Sequence, residues 1–347
     1  MVTRYWVGGT GTWNNTNLAN WSTSSGGAGG ASFPVAGDDV IFDANSGGGT
    51  CTKAATALNI GSLDMTGSTT TIAWASRTMT VDTGNVKLVA VMCSGSVLFT
   101  FTGTVDQTFT SGGFQGVTQI VRGGASGTTQ KLILGDNLTM GSGTVTLNRA
   151  IFDLNGKTLV CNTMDFGTGA ISRSLVFGTG TLNCNLFNGG SGTNYTVSAG
   201  SGTLTMTGGG AQVSTISSVS LPPTTYIITP ALGVGLTMNM SGGTVASLVV
   251  SGAGLSLASN LVVTGTLSVT SELGLSAFSI PSLKSSVGGT QRTLTVNGKF
   301  ETSNYCPIVD INAVTRLHSY VGNDGGNNTN IVFNKLLGVQ SLLGVGM

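Results

Sequence analysis

Ionisable side chains are scarce in this chain. Only 8% of its 347 residues are Asp, Glu, Lys or Arg, the glutamates number two (Glu272 and Glu301), and there is one histidine, His318. Such a composition argues against an enzyme built round a polar cleft, because general acid–base and nucleophilic chemistry draws on the residue types that are missing. The formal net charge is +1 and no basic run is interleaved with aromatics, so the electrostatic footprint of a nucleic-acid or anionic-membrane partner is missing too. Six prolines, and glycines that do not recur at every third position, exclude collagen. No window offers the ~18 consecutive apolar residues of a membrane span. The opening Met1-Val2-Thr3-Arg4-Tyr5-Trp6 lacks the charged and then apolar pattern of a signal peptide. The chain is therefore expected to be made and folded in a cytoplasm, without membrane insertion. Five cysteines, Cys51, Cys93, Cys161, Cys184 and Cys306, are odd in number and form no CxxC or Cys/His cluster, which removes a zinc site. They read as small buried hydrophobes, with a disulfide as the alternative.

Glycine and apolar residues are abundant: 55 glycines, with 40% of the chain hydrophobic. The apolar content separates the chain from disordered glycine-rich sequences, which lack the Val, Ile, Leu and Phe spread throughout this one. Short β-branched runs such as Thr144-Val145-Thr146-Leu147, Lys157-Thr158-Leu159-Val160 and Thr203-Leu204-Thr205-Met206 are bounded by Gly, Asn or Ser and read as strands. Turn-and-strand units recur at Gly156, Gly180 and Gly202, an almost even interval that falls within the range of stacked repeats. Cys161 and Cys184 are one such interval apart and would then stack in one inward column. The fold expected is all-β, a parallel β-helix or solenoid of about 11 coils over some 250 residues. An amino-terminal cap (1–48) precedes the solenoid (49–298), and a distinct carboxyl-terminal segment (299–347) closes it. A pair of β-sandwich domains is the competing architecture, since the same short strands could build one.

The cap holds three of the four tryptophans, Trp6, Trp13 and Trp21. They either cover the apolar face of the first coil or form a sugar-stacking or docking surface for attachment. The carboxylates suggest no acid–base pair. Asp38 and Asp39 are adjacent and point to opposite faces of a strand, while Asp153 and Asp165 read as turn residues unless neighbouring coils bring them together. His318 has no partner at a recognisable catalytic spacing. No cofactor is expected. A Ca²⁺ ion at Asn323, Asp324 and Asn327, in the run Asn323-Asp324-Gly325-Gly326-Asn327-Asn328, is the one alternative to a plain Asn/Asp turn. Gly8-Gly9-Thr10-Gly11 lacks the Lys-Ser/Thr of a phosphate loop. The apolar tail, with Leu336, Leu337, Leu342 and Leu343, is expected to bury itself in a homo-oligomer.

The segments Trp6-Val7-Gly8-Gly9-Thr10-Gly11-Thr12-Trp13, Asn20-Trp21-Ser22 and Gly37-Asp38-Asp39-Val40-Ile41-Phe42-Asp43 resemble the start of β-strand-repeat proteins found in tailed-phage genomes. Phe152-Asp153-Leu154-Asn155-Gly156-Lys157-Thr158-Leu159 is similar to their repeated unit. Their close resembles Tyr305-Cys306-Pro307-Ile308-Val309-Asp310, Asn312-Ala313 and Gly325-Gly326-Asn327-Asn328 before Phe333. The resemblance covers most of residues 4–333 and implies a parallel β-helix on a virion surface. The function expected is that of a non-enzymatic virion structural protein, a tail spike or fibre assembled as a trimer in the host cytoplasm. Other virion proteins, and a host-surface glycan, are its expected partners. A capsid decoration or head fibre, a carbohydrate-binding adhesion module and a polysaccharide depolymerase are the alternatives.

Overall fold

The computed structural model describes residues 1–14, 16–54, 57–123, 129–167, 171–188, 195–198, 202–207, 213–216, 225–228, 237–240, 243–251, 254–257, 259–270, 282–302, 306–319 and 323–333. Two compact units divide the chain, Met1–Gly208 and Gly209–Met347. The divisions expected near residues 48 and 298 fall inside these units. Among the described residues the regular structure is almost entirely β, with one short 3₁₀ turn at Ala90–Met92, and every strand pair but one is parallel. The fold is a parallel β-solenoid. Parallel pairing also disposes of the sandwich alternative, whose sheets are antiparallel.

In the first unit one ladder runs through nine parallel strands: Thr3–Trp6, Asp39–Ile41, Ser62–Asp64, Val86–Lys87, Gln107–Thr110, Lys131–Leu134, Ala150–Asp153, Arg173–Val176 and Tyr195–Ser198. A second ladder runs through Gly11–Trp13, Thr50–Lys53, Thr71–Val81, Cys93–Phe101, Val117–Arg122, Thr144–Leu147, Thr158–Asp165, Thr181–Asn188 and Thr203–Met206. Thr158, Thr181 and Thr203 are in register on successive strands, which is the repeat that the glycine spacing announced. The long strands of the second ladder turn a corner. In Thr71–Val81 the exposed Ala75, Ser76 and Arg77 interrupt the alternation, Ser76 takes a positive φ of 54°, and the pairing with Cys93–Phe101 slips by one residue. This is a β-bulge that bends the strand. Gly95 sits at the same corner with φ 77°, and a Cβ there would lie 2.2 Å from the Trp74 carbonyl oxygen, so only glycine fits.

Alternation sends one side chain in two to the interior. Leu159, Leu182 and Leu204 stack in register and are fully buried, and Cys161 stacks on Cys184. All five thiols are free, and burial pushes that of Cys161 up to about 12. Phe99, Phe101 and Phe109 form a buried ring cluster with centroids 5.3–6.1 Å apart.

Among the inward positions that carry a charge are those of Lys53, Arg122 and Arg173. Arg122 is fully buried and donates from Nη1 to Gln107 Oε1 (2.8 Å) and from Nη2 to the Gly103 carbonyl (3.1 Å). Gln107, also fully buried, accepts from the Gly103 N–H (3.0 Å) and donates Nε2 to the carbonyls of Val81 (3.1 Å) and Gly84 (2.9 Å). One amide thus serves the corner backbone of two coils and the guanidinium.

The second unit has three parallel ladders. The first contains Val213–Ile216, Thr237–Met240, Gly254–Leu257, Leu283–Ser285, Pro307–Val309 and Asn323–Asp324. The second contains Gly243–Val245, Leu261–Val263, Arg292–Val296, Ile311–Ser319 and Thr329–Phe333, and the third Thr225–Ile228, Ser247–Ser251, Leu267–Thr270 and Phe300–Thr302. Its interior is aliphatic, with Leu248, Val250, Leu255, Leu267, Leu283, Leu294 and Ile308 buried.

The corner network yields the first prediction. Gln107→Ala leaves a buried guanidinium and backbone groups of two coils short of partners, and should cost about 3 kcal/mol or more. Arg122→Met removes the charge itself and should cost about 1 kcal/mol or less. Denaturant unfolding of the two variants checks the order.

Candidate functional site

The amino-terminal end is an aromatic plug. Trp6, Trp13, Trp21 and Phe42 are all completely buried. Trp21 meets Trp6 and Trp13 edge-on, with centroids at 5.1 and 5.4 Å, and Trp6 stacks on Phe42 at 5.7 Å. The arrangement follows from a reversal of the chain, since Trp21–Ser22 runs antiparallel to Thr3–Trp6 with Trp21 opposite Trp6. The returning loop is fastened by Arg4, whose Nε donates to the Ser32 carbonyl (2.8 Å) and Nη2 to Ser32 Oγ (2.6 Å). Asn20 is wedged behind it and donates Nδ2 towards the Thr12 carbonyl (3.5 Å). A Cβ on Gly11 would lie 2.6 Å from that Nδ2, so the approach requires glycine. The expectation of an attachment or sugar-stacking surface at Trp6, Trp13 and Trp21 is therefore corrected. Their rings lie in the interior because the strand order folds them over the first coil.

Beside the plug lies Lys53, opposite Trp13 in register and 1% exposed. Burial, and secondarily the charge of Arg77, pushes its ammonium pKa down to about 8.

The carboxylates considered for catalysis accept hydrogen bonds from turns and neighbouring strands. Asp38 accepts from the N–H groups of Val2 (3.0 Å) and Val35 (3.3 Å), and Asp39 from Ser62 Oγ (2.6 Å). Asp153 and Asp165 occupy different ladders. Asp153 pairs with Lys131 (3.0 Å) and accepts from the Asn155 N–H, while Asp165 accepts from the Gly167 N–H and from Asn188 Nδ2. His318 is exposed on Ile311–Ser319.

In the candidate calcium run, Asp324 Oδ1 accepts from the Gly326 N–H (2.9 Å) and Asn328 Nδ2 (2.7 Å), and Asn327 Nδ2 donates to Asp310 Oδ1 (2.6 Å). No cluster of three His, Cys, Asp or Glu residues is found among the described residues. The side chain of Asn323, and Leu336, Leu337, Leu342 and Leu343, lie outside the described residues.

One concave feature was not visible in the sequence. In the second unit a groove of about 440 Å³ is lined by Ser256, Lys284, Ser285, Ser286, Val309 and Asp310, with Gly288 at its rim. Ser256, Lys284 and Val309 are register partners on three successive strands. Asp310 is 5% exposed, and its two oxygens accept from the Gly289 N–H (2.9 Å) and from Asn327 Nδ2. The lining comes from three separate stretches of the chain and leaves no local motif, so only the register discloses the site.

No protein-family model, curated protein or solved structure matches the chain.

Two predictions test the plug. Trp6→Ala should cost about 3–5 kcal/mol of unfolding free energy, as for a large aromatic removed from a core, whereas a surface indole would cost far less. Lys53 adds a pH dependence. Its native pKa lies below the 10.5 of the unfolded chain, so the unfolded state holds more protons between pH 8 and 10.5 and this residue's contribution to stability rises across that window. Below pH 8 the penalty is complete. The buried thiols act in the opposite sense above their ordinary 9.0, because the native state keeps them protonated. Comparing the parent with Lys53→Met cancels the thiols. The stability of the variant relative to the parent should be greatest at pH 7 and fall towards pH 10.5 in thermal melts.

Proposed function

We propose that the chain is a non-enzymatic structural protein of a phage virion surface, a tail-spike or fibre-type β-solenoid that assembles as a homotrimer. The observation that carries this reading is the nine-strand parallel stack of the first unit, whose inward columns are apolar and in register. Such a stack is a stiff element whose hydrogen bonds run along its length. One outward column of its second ladder is Thr158, Thr181 and Thr203, and Asn185 donates to Asn162 beside it. That build suits mechanical presentation better than turnover.

The involvement of Asp38, Asp39, Asp153 and Asp165 in local hydrogen bonds supports the same view. So does the resemblance of the opening, repeated and closing segments to β-strand-repeat proteins of tailed phages. In this reading the sealed amino-terminal edge refuses strand addition. The trimer contact is then assigned to the apolar tail containing Leu336, Leu337, Leu342 and Leu343.

Light scattering on the purified protein, with and without residues 335–347, tests the proposal. The full chain should have the mass of a trimer, and the shortened chain that of a monomer. A monomer in both forms would overturn the spike reading.

A further inference from the structure

We infer that the groove of the second unit binds a singly anionic sugar unit, a hexose bearing one carboxylate. The inference rests on the spike or fibre reading above and gives it a ligand class and a place. The groove exists because successive coils turn the same corner with loops of different length. Between Leu283–Ser285 and Arg292–Val296 the corner takes residues 286–291, whereas between Pro307–Val309 and Ile311–Ser319 it takes Asp310 alone. Asp310 manages this with a positive φ of 57°. A long corner stacked beside a one-residue corner leaves relief between the two coils.

The chemistry of the relief is specific. Lys284 is exposed in its lining and forms no ion pair among the described residues. Ser256, 3% exposed, lies one strand away and makes no side-chain hydrogen bond among the described residues. Ser286 adds a second hydroxyl, while Ser285 Oγ is occupied by the Val287 carbonyl (3.0 Å). Asp310 is the only acid in the lining, and both its oxygens are already accepting. Each oxygen keeps one further lone pair, and the negative charge of this acid limits what binds beside it. The Lys284 ammonium attracts a negative charge, while the Asp310 carboxylate in the same lining opposes a second one and so disfavours a free phosphate or sulfate dianion. The volume of about 440 Å³ lies within the range of small-molecule sites and exceeds what a bare oxyanion fills. Hydroxyl donors and acceptors around one ammonium fit a sugar ring with one carboxylate.

Titration calorimetry of the full-length protein with trigalacturonate and with uncharged maltotriose tests this. The wild type should bind trigalacturonate at least tenfold more tightly than maltotriose, with an affinity that falls as salt is added. Lys284→Met should weaken trigalacturonate binding about tenfold, as expected for loss of one charge-assisted contact. Lys299→Met, which removes an exposed lysine paired with Glu301, should leave it unchanged. The inference is overturned by absence of trigalacturonate binding to the wild type, by equal affinity for the two sugars, or by equal losses in the two lysine variants. A trimer that ignores trigalacturonate sinks this inference and leaves the spike reading standing. A monomer that binds it through Lys284 does the reverse.

Discussion

The structure depends on one constraint, that each coil must pair in register with the coil before it. Parallel in-register pairing places a residue about 4.8 Å from its counterpart on the next strand, on the same face. Like therefore stacks on like, as Leu159, Leu182 and Leu204 do inside and Thr158, Thr181 and Thr203 do outside. Asparagine tolerates this well, because its amide can donate to one neighbour and accept from the other. Asn185 donates to Asn162 (2.9 Å) and accepts from Thr207 (3.0 Å). A repeated charge cannot be stacked so, since like charges at that spacing repel. The charge-poor composition follows from the fold, and Lys131 meets its opposite diagonally, in Asp153 two residues along the neighbouring strand.

A stack of this kind has a problem at its ends, where the last strand offers unpaired backbone groups and an uncovered apolar face. The first unit solves both at its amino terminus within its opening segment. Trp21–Ser22 covers the edge of one ladder, Asn20 reaches the edge carbonyl of the other, and the indoles with Phe42 fill the face. Lys53 is buried opposite Trp13, and burial lowers the pKa of its ammonium.

The regular part of the fold was legible in the sequence because it repeats. The spacing of Gly156, Gly180 and Gly202 anticipates the strand period, and Phe-Asp-Leu-Asn-Gly anticipates the turn in which Asn155 and Gly156 take positive φ. The second unit is less legible because it spaces its strands unevenly, with Met238 opposite Leu255 and Leu255 opposite Leu283. The burial of the tryptophans was ambiguous, since an aromatic among Gly, Asn and Thr fits a cap or a surface equally well. The buried cations were missed because a charged residue in isolation reads as solvated. For Arg122 a signal was present, in that Ile120 and Arg122 share one face of an alternating strand, so an inward Ile requires an inward Arg.

Regularity and recognition compete in such a protein. Coils of equal length stack without relief, and a wall without relief offers a ligand contacts from one side only. Concavity requires neighbouring coils to differ, and a difference in the strands themselves would break register and expose the core. The corners are the only place where length can change without shifting a ladder. The corner at residues 286–291 lies beside the single residue Asp310, while Leu283 stays in register with Ile308. The cost of the mismatch falls on Asp310, held in a left-handed conformation by two hydrogen bonds to its carboxylate. A strained, buried acid at a corner is thus the structural counterpart of the groove beside it, and corner length is where such a solenoid can change what it binds without changing its fold.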